Sequence, residues 1–167
     1  MLRPPKALLV RVREALDVAN AAPGTKGTKV VLIGRGAGES RAFGNQEALV
    51  AALSHVASQR NLDFALFDGA ATPMKDTIHL FASAALVVGV HGAGLANAVF
   101  MDPGAALLEL SLPEPEFAEY AHIADVLDLR YATSPLPHSN FEARAWPRPS
   151  NVAAAAAKLL DDPHAAP

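Results

Sequence analysis

A Rossmann-like doubly wound α/β layer with roughly five parallel strands is the architecture this chain predicts. Three observations lead there. Strand-type and helix-type patterns alternate from Lys29 to Leu160. The run Ala85–Val90 is apolar at every position, as a strand covered on both faces at the centre of a parallel sheet must be. Length permits the fold: 167 residues, 51% of them hydrophobic, suffice for one domain with a real core.

The elements follow in order. Pro4 and Pro5 precede a segment with Leu8, Leu9, Val12 and Leu16 on one helical face, closing near Ala22-Pro23-Gly24. Residues 1–24 are therefore read as an N-terminal helix and joint, 25–160 as the α/β domain and 161–167 as a tail. Lys29–Ile33 is a strand, Gly34–Gly44 a glycine-rich loop, and Asn45–Arg60 a helix with Leu49, Val50, Leu53, Val56 and Ala57 along one side. A short strand, Phe64–Phe67, precedes a helix that Thr72 caps and Pro73 starts, running to about Ala82. After the strand Ala85–Val90 and the His91–Gly94 joint, a short helix reaches Phe100, and Asp102-Pro103-Gly104 turns the chain. Ala105–Leu110 is a strand, Glu116–Leu127 a helix, Leu129–Tyr131 a short strand, Ala132–Ser150 a proline-rich loop and Val152–Leu160 an alanine-rich closing helix.

Bulk composition removes several classes of function. The net charge is −3 and the 14 Lys and Arg residues are scattered, so nucleic acid has no support as a partner. With no cysteine there are no disulfides and no thiolate chemistry. No apolar run approaches the ~20 residues that span a bilayer. Arg11, Arg13 and Glu14 interrupt the N-terminal apolar segment too early for a signal peptide. The histidines besides His91, at 55, 79, 122, 138 and 164, show no ligand spacing, so no metal is expected.

Ligands of such sheets sit at the carboxyl ends of the strands. Here those ends are Gly34-Arg35, Asp68-Gly69, His91-Gly92, Glu109 and Tyr131. The strongest signal is His91-Gly92-Ala93-Gly94 between an apolar strand and an apolar helix start. Small residues there permit close backbone approach, and the first helical N–H groups can meet an anion. With a histidine on its lip, the joint reads as a diphosphate seat; packing alone would also account for its glycines. An esterase oxyanion loop is excluded, because no Gly-x-Ser-x-Gly elbow exists in the chain.

Gly34-Arg35-Gly36-Ala37-Gly38 looks like a dinucleotide fingerprint, but Glu39 replaces the third glycine and no acidic residue follows at the expected distance. Arg35 and Arg41 can instead pair with phosphate oxygens, or stand as solvated loop residues. Asn45 reads as a helix N-cap that can double as a ligand contact. Glu109, at the end of an apolar strand, reads as an open-edge acceptor for two ribose hydroxyls. Asp68 and Asp102 fall near the same edge without an assignable role.

Arg35, Arg41-x-x-x-Asn45-x-Glu47, Val88-Gly89-Val90-His91-Gly92-Ala93-Gly94-Leu95-x-Asn97, Phe100-Met101-x-Pro103-Gly104 and Glu109 occur in this order. Over Lys29–Tyr131 the chain thus resembles the carboxyl-terminal half of glycosyltransferase family 61. The resemblance implies a GT-B-type architecture and a nucleotide-sugar donor, UDP-linked, with no metal or other cofactor. It also implies inversion at the anomeric carbon and transfer to a glycan or glycoprotein acceptor. The implied donor-binding residues are Arg35, Arg41, Asn45, His91, Gly92, Ala93, Gly94 and Glu109. The family's Glu-Gln pair before the apolar strand reads Asp76-Thr77 here. A GT-B enzyme needs two α/β halves and this chain has material for one, so a missing N-terminal half and an inactive isolated chain are expected. The implied compartment is the Golgi or ER lumen for a eukaryotic protein and the cytoplasm for a bacterial one. The competing reading is a nucleotide- or dinucleotide-binding module without transferase chemistry; a degenerate fragment that folds and binds nothing is the third.

Overall fold

A computed structural model describes residues 5–16, 18, 27–34, 42–111, 118–136 and 145–162. Five strands, β1 (Lys29–Ile33), β2 (Asp63–Phe67), β3 (Ala84–Val90), β4 (Ala106–Ser111) and β5 (Arg130–Pro135), form one parallel sheet in the order β2-β1-β3-β4-β5. All seven residues of β3 are buried, as its unbroken apolar run requires. Val88 pairs with Leu32 on one side and Leu108 on the other, which places β3 at the centre.

Helices cover both faces. The face carrying Val30, Leu32, Val88, Leu108 and Leu110 packs against α2 (Gln46–Ser58) and α5 (Pro149–Asp161). From α2 come Leu49 and Leu53, both at 0% exposure, and each fully buried leucine contributes about 1.5–3 kcal/mol. The opposite face, with Val31, Ile33, Val87 and Leu107, meets Leu9 of α1 (Lys6–Ala15), Phe81 of α3 (Met74–Ala82) and Tyr120 and Ala124 of α4 (Glu119–Val126). Leu95, Ala98 and Phe100 of the 3-10 helix Ala93–Phe100 complete that layer. The chain is thus a Rossmann-like doubly wound layer, as its alternation predicts.

Details depart from the sequence reading where tertiary contacts override local pattern. The face of α1 turned inward is Leu9 and Arg13; Leu8 and Leu16, expected beside Leu9, are exposed. Arg13 takes the inner position because backbone carbonyls await it there, as described below. Pro73 occupies the N-cap position of α3 rather than its first helical residue. β5 runs on to Pro135 through residues expected to be loop, because pairing with β4 continues from Ala106↔Arg130 to Ser111↔Pro135. α5 begins at Pro149, with Pro in its first turn, ahead of the expected Val152.

The strand order reverses between β1 and β3. Connections leave to opposite sides there, the arrangement that in open parallel sheets makes a crevice at the carboxyl ends of the two strands. Gly34 follows β1 and His91 follows β3, so both fall at that crevice.

Candidate functional site

The His91–Gly94 joint is built for a sharp change of direction. Gly92 has φ 150°, a conformation that side chains rarely adopt, so glycine is required there. A Cβ at Gly94 would stand 2.9 Å from Ile33 Cγ2, so this glycine serves the close approach of the 3-10 helix to β1. The first turn closes through Leu95 N–H to the Gly92 carbonyl at 2.9 Å. The N–H groups ahead of it, at Gly92, Ala93 and Gly94, precede the helix's own hydrogen-bond ladder. The helix is of the 3-10 type and eight residues long.

The His91 side chain is not on an open lip. It is 6% exposed and leans toward β4, where Nδ1 lies 2.5 Å from Glu109 Oε1. A carboxylate accepts, so the Nδ1 proton is donated to Glu109. The other Glu109 oxygen, Oε2, accepts from the Tyr131 hydroxyl at 2.5 Å. At the outer side of the ring, Nε2 stands 3.7 Å from Glu119 Oε1, and Glu119 is the first residue of α4. Tyr120, next on α4, donates its hydroxyl to the Gly92 carbonyl at 2.6 Å and packs edge-on to the imidazole, ring centroids 5.3 Å apart. Burial, reinforced by the hydrogen bond to Glu109, pushes the Tyr131 phenol well above its usual value, so it remains a donor.

These positions correct the premise on which Glu109 was read as an open-edge ribose acceptor. Glu109 is 1% exposed, lies within β4 rather than at its end, and has both carboxylate oxygens engaged by His91 and Tyr131. A buried carboxylate is tolerable only with such partners, and here they come from neighbouring strands rather than from solvent or ligand. Asn45 does stand at the N-cap of α2, but its side chain makes no capping bond; Nδ2 donates to the Pro147 carbonyl at 2.8 Å and Oδ1 is buried without a partner. It ties the start of α2 to the segment before α5, where Phe43 and Ala145 form a parallel bridge. Arg35 and Arg41 lie outside the described residues.

Asp68 follows β2 at the carboxyl edge and is exposed, accepting from the Ala70 N–H at 2.9 Å. Asp102, expected at the same edge, precedes β4 and lies at the opposite, amino edge. It pairs there with buried Arg13 at 3.0 Å, and Arg13 Nη1 also donates to the Val99 and Met101 carbonyls at 2.9 and 2.5 Å. Asp102 is a structural anchor for α1.

Glu119, Tyr120 and Tyr131 are site neighbours that sequence reasoning missed as participants. One signal was present: a glutamate inside an apolar strand demands donors, and Tyr131 lies at the end of the adjacent strand's expected span. Among the described residues no group of three or more His, Asp or Glu is placed to hold a metal ion, and no helix is long and apolar enough to cross a membrane.

A parallel α/β layer with glycine-lined N–H groups at its switch point defines a class of proteins that bind ligands at the carboxyl edge of the sheet. Within that class, the model of glycosyltransferase 61 matches residues 3–108, and the chain belongs to that family. The match takes in every element from α1 to the 3-10 helix, the His91–Gly94 joint included, and ends inside β4, one residue before Glu109. No curated protein matches the chain.

Proposed function

We propose that this chain is the donor-binding half of an inverting, metal-independent glycosyltransferase of GT-B type that takes a UDP-linked sugar. The observation that carries the reading is that the N–H groups of Gly92, Ala93 and Gly94, ahead of the 3-10 helix, follow β3 at the switch point of the sheet, where the loop after β1 also begins at Gly34. Such a cluster suits a diphosphate, because backbone donors and a helix start favour negative charge. Arg35 and Arg41, on the loop after β1, add phosphate contacts, and Asn45 borders the same edge. His91 contributes through Nε2, the ring nitrogen on the rim side. Glu109 acts through His91 rather than on the ribose.

During transfer the departing diphosphate gains charge, and donors already aimed at it lower the barrier without reorganising. The acceptor side, a glycan or glycoprotein, and the base that deprotonates its hydroxyl belong to a second α/β half. On this reading the 167-residue chain binds nucleotide diphosphate weakly and transfers no sugar.

Calorimetry with UDP, uridine and NAD tests this. UDP should bind more tightly than uridine, and His91→Ala should remove about 1.5–3 kcal/mol from UDP binding with little effect on uridine. Preference for NAD would favour the dinucleotide module. Equal losses for UDP and uridine would assign the loop a folding role, and robust sugar transfer by the purified chain would overturn the half-enzyme reading.

A further inference from the structure

The described residues contain a polar chain, running from β5 through β4 to the joint after β3, that neither the sheet nor the diphosphate seat explains. It runs Tyr131 hydroxyl, Glu109 Oε2, Glu109 Oε1, His91 Nδ1, and ends at Nε2 on the rim. Nothing about parallel-sheet packing asks for a carboxylate at 1% exposure in β4, where leucine precedes and follows it. An apolar side chain of similar size would satisfy that position at lower cost. The carboxylate is therefore to be explained by its partners.

We propose that Glu109 and Tyr131 are a positioning pair for His91: they hold the imidazole proton on Nδ1 and so assign Nε2 as the nitrogen that meets an anionic ligand. The proposal rests on the diphosphate reading for the identity of that ligand, and on geometry alone for the pair itself. Two strand registers fix the arrangement. Gly89 stands opposite Glu109 in the β3–β4 register, so His91 follows two residues on along the same face, within reach of Oε1. Leu107 stands opposite Tyr131 in the β4–β5 register, so the phenol reaches Glu109 diagonally, one pleat along that face. Tyr131 is kept as a donor by burial and by Glu109 itself, so Oε2 is held by a proton it cannot lose at neutral pH. The edge-on Tyr120 ring limits rotation of the imidazole from the other side.

The consequence is a division of labour in the ring. With the Nδ1 proton committed to Glu109, Nε2 is the ring nitrogen on the side of Glu119. When Nε2 donates to a phosphate oxygen the ring carries both protons, and the Glu109 carboxylate balances that charge inside a site closed to water. The carboxylate of Glu119 beside Nε2 is the group that a phosphate must move aside. Among the described residues, titratable groups that face the ring include Glu109 from β4, Tyr131 from β5 by way of Glu109, and Glu119 and Tyr120 from α4.

The experiment pairs nitrogen NMR of the imidazole with binding of UDP and uridine, on the full chain and on Glu109→Gln. In the unsubstituted chain the Nδ1 resonance should be that of a protonated nitrogen. In Glu109→Gln the amide can face the ring with either its oxygen or its NH2. The Nδ1 proton should no longer be fixed, and UDP affinity should fall roughly tenfold with uridine unchanged, as when an orienting carboxylate behind a ligand-binding histidine is lost. Tyr131→Phe, a milder change at a half-buried position, should move both readouts in the same direction by less, and it decides the matter if Glu109→Gln does not fold. An unaltered Nδ1 proton and an unaltered UDP-to-uridine ratio in these variants would overturn the positioning pair while leaving the diphosphate reading intact. No preference for UDP over uridine in the unsubstituted chain would remove the diphosphate reading and with it the ligand half of this proposal.

Discussion

The sheet has a cluster of buried charge at each end, and the two are built differently. At the amino edge Arg13 is saturated: two backbone carbonyls and the Asp102 carboxylate occupy its guanidinium, and the effect is to clamp α1 onto the end of the 3-10 helix. At the carboxyl edge His91 is held on one nitrogen by a fully buried carboxylate, while the other nitrogen looks to the rim past a carboxylate that is 28% exposed. The first cluster closes on backbone carbonyls; the second ends against the part-exposed Glu119. Burial of charge does not by itself mark a functional site. What separates the two is the switch point of the sheet, which lies beside the second cluster.

Substitutions can separate these roles. The largest effect is expected at the amino edge. Arg13→Met leaves the Val99 and Met101 carbonyls and the part-buried Asp102 carboxylate without their shared donor, which costs about 3–5 kcal/mol of stability. A thermal melt should fall accordingly, and the UDP-to-uridine affinity ratio should stay as it was. A changed ratio would mean that the amino edge communicates with the crevice.

At the carboxyl edge Tyr131→Phe should cost about 1.5 kcal/mol, the low end for a hydrogen bond to a charged group because the phenol is half-exposed. Its pH dependence has a definite sign. The folded state raises the phenol above its ordinary value of 10.0, so Tyr131 contributes stability fully below that pH and loses it as pH rises further. The stability difference between Tyr131→Phe and the unsubstituted chain should therefore narrow in denaturant titrations above pH 10.0. A difference that widens there would contradict the hydrogen bond to Glu109.

The smallest effect is expected at Glu119. Removing its charge in Glu119→Gln takes away a competitor for Nε2, so inorganic pyrophosphate should bind about three- to fivefold more tightly at low salt, less so at high salt. Weaker binding would place Glu119 among the groups that help the ligand.

Much of this was legible in the residues. The alternation and the unbroken run Ala85–Val90 specify the layered sheet and its central strand, because only a strand covered on both faces tolerates apolar residues throughout. The His91–Gly94 joint announces its own geometry, since Gly92 adopts a conformation closed to other residues. The sequence alone did not show which donors Glu109 would find. That depends on the register of β4 against β3 and β5, a property of three strands far apart in the chain. The same limit explains Arg13. On a helix it reads as a solvated charge, and only the end of the 3-10 helix, 86 to 88 residues on, supplies the carbonyls that bury it. Asp102 was misplaced for a related reason, because the 3-10 helix carries the chain from one edge of the sheet to the other.

Donor binding by this half requires an anion to sit at the β1/β3 crevice on the N–H groups ahead of the 3-10 helix. It is tested most directly by comparing the amide NMR shifts that UDP and uridine produce in the full chain. Shifts caused by UDP and not by uridine should fall on Gly34, His91, Gly92, Ala93, Gly94 and Leu95. Diphosphate-specific shifts gathered instead around Arg13, Met101 and Asp102 at the amino edge, or absent from the His91–Gly94 joint, would contradict it.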